Sequence, residues 1–322
     1  MEREGIVLVY SHGAGQNVRV DRLPEIGETR KALSWKLDRD GCKGTNIAVA
    51  LGRLGVKNTL ITRVGNDVWA DLCTGWLREA GTDISYVLRD DRVETTTGIV
   101  FIDSQGRNSI VLGDGDMSVP HELIGEGLEK EKNSRLFITG FEIEEEDALY
   151  ALKKAKNYGM TTILNPSPVG KSLDLEAADI IIVNEVEAQQ MLELAGKKPK
   201  ESMDWEETVK LLRISCHCKN VVLTLGEKGY VLNENGRVSR GEGMKAKAVD
   251  TSGAGDGFLA ALAYRLHQGY DLKEACKWAN AYAAVSVGYS GTIPGYLPLK
   301  EVEKKINEME NREKRGSFYE RK

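Results

Sequence analysis

Val249-Asp250-Thr251-Ser252-Gly253-Ala254-Gly255-Asp256-Gly257-Phe258 is the stretch on which the reading of this chain turns. It follows a strand-like run and opens a helical pattern that continues to about Leu266. Small residues at such a turn let successive backbone N–H groups point into one spot. The helix N-terminus adds partial positive charge, and together these make an anion site suited to phosphate. Asp256 places a carboxylate inside that cradle. Beside a bound phosphoryl group, a carboxylate is positioned to take the proton of an attacking hydroxyl. The plain alternative is an Asp favoured near a helix start by the dipole alone.

Moving outward, a second stretch near the N-terminus carries the same kind of signal. Asp40-Gly41-Cys42-Lys43-Gly44-Thr45-Asn46-Ile47-Ala48 brings glycines, a lysine and an asparagine to the start of a helical pattern. Close backbone approach plus the donors of Lys43 and Asn46 suits a polyol ligand. Taken alone, a turn with an exposed Lys and an Asn cap explains it equally well.

Between and around these segments, strand-like and helix-like runs alternate. Ile6 to Tyr10, Thr59 to Val64, Leu136 to Thr139, Thr161 to Leu164, Ile180 to Val183 and Val221 to Leu225 are short runs rich in Ile, Val, Leu and Thr. Helical spacing covers Asn46 to Leu54 and Asp67 to Ala80, closed by Gly55 and Gly81, and recurs near 144–158, 185–195 and 204–215. This alternation predicts βαβ units and a mostly parallel sheet covered on both faces. Two stretches break the rhythm, at 26–38 and 94–112. In the second, Thr95 to Ile102 and Ser109 to Leu112 flank the turn Asp103-Ser104-Gln105-Gly106. Both stretches read as hairpin strands inserted into an α/β chain, either as edge decoration or as a small lid over a site.

The chain has 322 residues, with 44 basic and 49 acidic side chains and a net charge of -5. That balance argues against a nucleic-acid surface, which usually needs a basic excess. No apolar run approaches the roughly 18 residues of a membrane span. Met1-Glu2-Arg3-Glu4-Gly5 lacks the apolar core of a signal peptide, so a cytoplasmic protein is expected. The five cysteines are irregularly spaced and do not form a disulfide framework. Cys216-His217-Cys218 has no second ligand pair and reads as thiols at a helix end, not as a zinc site. His121-Glu122 lacks the second His of a zincin motif.

Gly41 to Gly55 resembles the first signature of the ribokinase-like (PfkB) carbohydrate kinase family, with Cys42 where a glycine is usual. Asp250 to Asp256 matches the second, Asp-Thr-x-Gly-Ala-Gly-Asp. Asn165-Pro166-Ser167-Pro168, Asn184-Glu185-Val186-Glu187 and Thr224-Leu225-Gly226 are similar to the family's intermediate motifs, in the family's order. The resemblance spans about Gly5 to Lys304. It implies a ribokinase-like α/β fold, with a central mostly parallel sheet flanked by helices on both faces and a small β lid. It also implies one kinase domain over 1–310, with lid insertions at about 13–39 and 91–114, and the charged residues of 311–322 read as a frayed tail. No Walker A sequence is present, so a P-loop kinase is not expected.

The implied activity is ATP-dependent phosphorylation of a hydroxymethyl group on a sugar or sugar-like polyol. By the same resemblance Asp256 is the catalytic base, and Gly253, Ala254 and Gly255 form the backbone anion hole. Asn184 and Glu187 match residues that organise Mg²⁺ and the phosphates, Glu187 through water. Thr224 and Gly226 match nucleotide contacts, and Asn280 lies where the family meets adenosine. Asp250 and Ser252, with the loop from Ser286 through Gly291 to Gly295, resemble a monovalent-cation site suited to K⁺. The lid implies a homodimer.

Gly41, Lys43, Asn46 and Glu142 resemble the family's sugar-binding residues. Alignment back from Pro24 and Gly27-Glu28 places the two remaining polar sugar ligands on Gly13 and Gly15, so both side chains are missing. Either Gln16 or Asn17 supplies an amide instead, or the glycines make room for a bulkier acceptor. His12 and Arg19 read as ordinary surface, and Cys42 as a space-filler. The Gly-x-Lys-Gly-x-Asn loop and Glu142 favour free sugars. A nucleoside kinase of the same fold is the alternative. A silent sugar- or nucleotide-binding homologue is disfavoured by the intact Asp256 and its glycines.

Overall fold

Alternation within Ile6-Val7-Leu8-Val9 sets up a two-sided core, because successive strand residues point to opposite faces. The computed structural model describes residues 3–104, 108–113, 115–197 and 204–319. In chain order these form β1 (Ile6–Val9), β2 (Gly13–Arg19), β3 (Ser34–Gly41), α1 (Lys43–Arg53), β4 (Asn58–Gly65), α2 (Val68–Ala80), β5 (Asp83–Asp90), β6 (Thr96–Ile102), β7 (Asn108–Leu112), α3 (His121–Lys130) and β8 (Leu136–Gly140). There follow α4 (Glu145–Asn157), β9 (Thr161–Asn165), β10 (Ile180–Asn184), α5 (Glu185–Leu194), α6 (Trp205–Ser215), β11 (Asn220–Thr224), β12 (Tyr230–Glu234) and β13 (Arg237–Gly241). The chain ends with α7 (Ala254–His267), α8 (Leu272–Ser286), the single turn α9 (Thr292–Gly295) and α10 (Leu299–Tyr319).

The main sheet has the order β13-β12-β11-β10-β9-β8-β1-β4-β5. From β5 to β11 every pairing is parallel, and β12 and β13 add an antiparallel edge. Ile6, Leu8 and Leu60 join one apolar cluster with residues of α1, α2, α7 and α8. Val7, Val9 and Ile61 join the other, with residues of α3 to α6. Helices therefore cover both faces, as the near-continuous apolar strands require. Helix α7 lies between α1 and α8 and is buried from Asp256 through Tyr264, which explains why its apolar residues run all round it.

A second sheet, β3-β2-β6-β7, forms the lid. Strand β2 runs parallel to β6 and antiparallel to β3, with a register shift between Gly15 and Asn17. The first lid strand, 13–19, lies within the insertion expected at about 13–39, ahead of the hairpin-like stretch at 26–38. Gly13-Ala14-Gly15-Gln16-Asn17 has little strand propensity, and pairing on both sides holds it extended. The tail expected from 311 is helical as far as Tyr319. Acidic and basic residues at i,i+4 spacing, such as Glu301 with Lys305 and Glu308 with Arg312, favour that continuation. Among the described residues no helix is long and apolar enough to cross a membrane.

Candidate functional site

In a parallel sheet the strands deliver their following loops to one edge, and that edge is where α/β folds bind ligands. Here the edge gathers Ser11 after β1, Glu142 after β8, Asn184 at the end of β10 and Thr224 at the end of β11. The last two are register partners on neighbouring strands. The N-terminal ends of α1 and α7 close the site.

Asp256 sits in the first turn of α7 and is 7% exposed. Its Oδ2 accepts from Asn46 Nδ2 at 2.8 Å, and Lys43 Nζ lies 3.6 Å from Oδ1. The two sequence signatures thus meet side chain to side chain. Gly253 caps α7 with φ +69°, in the left-handed region. A Cβ there would lie 2.5 Å from Tyr296 Oη, whose hydroxyl donates to Gly253 O at 2.9 Å. Gly255 has open space on its Cβ side. The Ala254 and Gly257 amides donate to Thr251 O and Gly253 O. Those of Gly255 and Asp256 have no acceptor among the described residues, as first-turn amides lack intrahelical partners. The head of α7 therefore offers two free donors beside a buried carboxylate.

On the lid side, Glu142 Oε2 accepts from the Ser11 hydroxyl and, at 2.7 Å, from the Lys43 amide. Burial raises the Glu142 pKa against the opposing pull of Lys43. Burial alone would lower that of the Lys43 ammonium, but Asp256, Glu142 and Glu187 outweigh it and raise the pKa. Asn46 also brackets Gly41, donating to its carbonyl at 3.0 Å and accepting from its amide at 3.1 Å.

Gly13 does not make room for a ligand. A Cβ there would lie 2.2 Å from Thr96 O and 2.8 Å from Cys42 Sγ, because β6 and the α1 loop press on it. Gly15 is less tight, with Asp40 Cβ at 3.4 Å. Gln16 accepts from the exposed Trp35 indole, whereas Asn17 is buried. His12 is also buried and not surface, between Thr45 Oγ1 at 2.8 Å and Thr74 Oγ1 at 3.2 Å. Burial, with help from Arg89, pushes its pKa down to about 3, so it is a neutral structural imidazole. Arg19 is exposed, and burial pushes the Cys42 thiol pKa up.

On the opposite side, Asn184 and Glu187 form a reciprocal capping box on α5, at 2.9 Å each way. Thr224 Oγ1 donates to Val183 O, and Gly226 adopts φ +55° with open space around it. Asn280 donates to Glu242 O at 3.0 Å and lines a cleft of about 1180 Å³ with Met244, Trp278, Tyr289 and Ile306. The carboxylate of Asp250 accepts from the amides of Ser252 at 2.9 Å and Gly291 at 3.0 Å, tying the two loops together. The Ser286 hydroxyl is spent on Ala283 O, leaving its backbone carbonyl as the group that faces Gly295. Among the described residues no group of three or more His, Cys, Asp or Glu is arranged to hold a metal ion.

Ser11, Thr292 and Tyr296 escaped the sequence reading, although all three touch groups named in it. The only signal was their position beside a motif or within the 286–295 loop.

A model of the pfkB family of carbohydrate kinases matches residues 22–299. The chain belongs to this family. It is 32% identical to mouse ribokinase over 311 residues, 94% of each chain. It is 30% identical to a Salmonella typhi deoxyribokinase over 285 residues, 87% of this chain and 92% of the relative. Arabidopsis thaliana ribokinase, solved in complex with ribose and ATP, superposes with a TM-score of 0.81 at 27% identity, covering 94% of this chain and 98% of that one. The fold is accordingly ribokinase-like, and the chain is an ATP-dependent carbohydrate kinase of the ribokinase type.

Proposed function

We propose that this kinase phosphorylates a hydroxymethyl group of a free sugar or sugar-like polyol, with Asp256 as general base. The observation that carries the proposal is the buried Asp256 carboxylate beside the free amides of Gly255 and Asp256, held by Asn46 and Lys43. Mouse ribokinase and the Salmonella deoxyribokinase support an acceptor of pentose size.

ATP and Mg²⁺ suit the residues present. The two free amides and the open Gly255 form an anion cradle, and the cleft at Asn280 has room and apolar walls for a base. With no metal-holding side-chain cluster among the described residues, Mg²⁺ would be held by phosphate oxygens and water, with Glu187 and Asn184 in support. Bound ATP·Mg²⁺ supplies the phosphoryl group and the countercharge. Asp256 takes the proton of the acceptor hydroxyl, and Lys43 and Asn46 keep its carboxylate fixed and hydrogen-bonded. Glu142, Lys43 and Asn46 orient the acceptor beneath the lid, which excludes competing water.

The Asp250, Ser252, Ser286 and Gly291 loops are assigned to K⁺, on the support of the Asp250 carboxylate, which ties the 250–252 and 286–295 loops together through the Ser252 and Gly291 amides. Equal rates with K⁺, with Na⁺ and without either would sink that assignment. Leu33, Trp35 and Val111 leave apolar side chains exposed on the lid, which supports a homodimer through it. Sedimentation as a monomer at micromolar concentration counts against the dimer. Five free thiols suit the reducing cytoplasm.

The test is ADP release with ATP, Mg²⁺ and K⁺ against pentoses, hexoses, deoxy and keto sugars, polyols, sugar phosphates and nucleosides, with Asp256→Asn as blank. Turnover confined to free sugars is the expected result. Turnover confined to nucleosides, or an Asp256→Asn variant near the wild-type rate, would overturn the proposal.

A further inference from the structure

A third carboxylate, besides Asp256 and Glu142, lies at the acceptor side of the site without an assigned role. Asp40 is the penultimate residue of β3 and is 7% exposed. Its Oδ1 accepts from Thr292 Oγ1 at 2.8 Å. The same hydroxyl lies 3.0 Å from Asn46 Oδ1, and Asn46 Nδ2 donates to Asp256 Oδ2. Two side chains therefore separate Asp40 from the proposed base. Hydrogen bonds thus tie Asp40 to the groups that hold Asp256.

Its placement over β2 is specific. Asp40 and Gly15 are direct partners in the antiparallel β2–β3 pair, so their side-chain directions share one face. A Cβ on Gly15 would touch Asp40 Cβ at 3.4 Å and Cγ at 3.6 Å. The carboxyl group of Asp40 thus lies against the face that Gly15 leaves bare. Asn17, buried further along β2, also reaches Asp40, and its own Oδ1 has no partner among the described residues.

Burying a carboxylate is costly unless donors surround it. Burial holds the Asp40 pKa up to about 6 even with the Thr292 hydrogen bond opposing, and Asp250 and Asp256 add to the rise. Among the described residues, Thr292 and Asn17 are the donors set against it, whereas a polyol carries adjacent hydroxyls that each need an acceptor.

We propose that Asp40 receives the secondary hydroxyls of the acceptor, its carboxylate reaching from β3 across the bare face of Gly15, so that acceptor selection resides on β3. This rests on the reading of Asp256 as base at a sugar site. It assigns to Asp40 a binding role, with Thr292 positioning it.

The experiment is steady-state kinetics of wild type, Asp40→Asn, Asp40→Ala and the double variant Gly15→Asp/Asp40→Gly. Substrates are the best acceptor of the panel and its single-deoxy analogues. Asp40→Asn should raise the acceptor KM by about 10- to 100-fold and leave the ATP KM unchanged. That penalty should shrink for each single-deoxy analogue lacking a hydroxyl that Asp40 holds and stay undiminished for the others. The double variant should recover most of the lost acceptor affinity, since removing the Asp40 side chain clears the space beside position 15. If Asp40→Asn lowers kcat alone, equally for every analogue, Asp40 merely braces Asn46 and Asp256, and the inference is overturned. An unchanged acceptor KM in a folded, active variant overturns it too. If folded wild type turns over no sugar, the sugar-kinase reading itself fails and this inference fails with it, a result distinct from the previous two. Asp40→Asn, being isosteric, answers the question if Asp40→Ala does not fold.

Discussion

The head of α7 and the first two lid strands border the same site but are built in opposite ways. At α7 every functional group lies within a few residues of chain. Gly253 turns the backbone, the helix start presents the amides of Gly255 and Asp256, and Asp256 supplies the carboxylate. In the lid, Gly15 and Asp40 meet only because β2 and β3 pair, and Asp40 gains its fixed donor from Thr292, far along the chain. On the proposed roles, phosphoryl transfer would be encoded locally and the choice of acceptor in strand register. A change at α7 should strike turnover with any acceptor. A change at the β2–β3 pair should redistribute preference among acceptors.

The largest effect belongs to Asp256. Asp256→Asn keeps the shape and the Asn46 contact but removes the proton acceptor. It should lower kcat by about 10²- to 10⁴-fold, measured as ADP release, with acceptor binding by calorimetry largely kept. A uniform loss across all acceptors is what the local encoding requires. A loss confined to some of them would erase the contrast between the two regions.

Next come the glycines of the same turn, which divide it more finely. At Gly253 an alanine would need φ +69° and would place its Cβ 2.5 Å from Tyr296 Oη. Gly253→Ala should cost about 1–2 kcal/mol in stability from the left-handed backbone alone. As the anion hole shifts, kcat should fall by about 10²- to 10³-fold. Gly255→Ala meets nothing within 4 Å and has no positive φ, so its melting temperature should match wild type. Any drop in its activity then reports crowding at the cradle itself. Equal destabilisation of both variants would show that the turn is not held by Tyr296.

The same division accounts for what could be read from the residues. Strands β1, β4 and β8 to β11 announce themselves as buried apolar runs, and α2 by its terminal Gly81. Strand β2 is hidden, because Gly13-Ala14-Gly15-Gln16-Asn17 carries no apolar alternation and is held extended by its neighbours. In the site, Asp256, Lys43 and Asn46 stand out because each sits in a short motif, whereas Glu142 is singled out only through the family resemblance. Asp40 lies beside Gly41 in the same segment yet carries no signal of its own, since its partners come from β2 and from residue 292. His12 misled for the same reason. Only Thr45 and Thr74, on α1 and α2, reveal it as a buried neutral group.

The smallest expected effect bears on the cost of placing a carboxylate in the lid. The Asp40 pKa is about 6 in the folded chain, against an ordinary carboxylate value near 4 when unfolded. Between those values the folded state holds the proton more tightly, so the contribution of Asp40 to stability worsens as pH rises through that window and stays unfavourable above it. His12 has the opposite sign, because a buried imidazole whose pKa is pushed down to about 3 loses stability as pH falls below its unfolded value. The two partly cancel in wild type, so a single melting curve against pH does not separate them. The difference between wild type and Asp40→Asn does, since His12 is common to both. Asp40→Asn should be more stable by about 1–3 kcal/mol at pH 7.5, and the gain should shrink as pH falls from 6 towards 4. Greater stability together with weaker acceptor binding would mark Asp40 as kept for recognition at the expense of the fold. A destabilised variant at pH 7.5 would mean that Asp40 braces the lid, and the two regions would then differ in position but not in purpose.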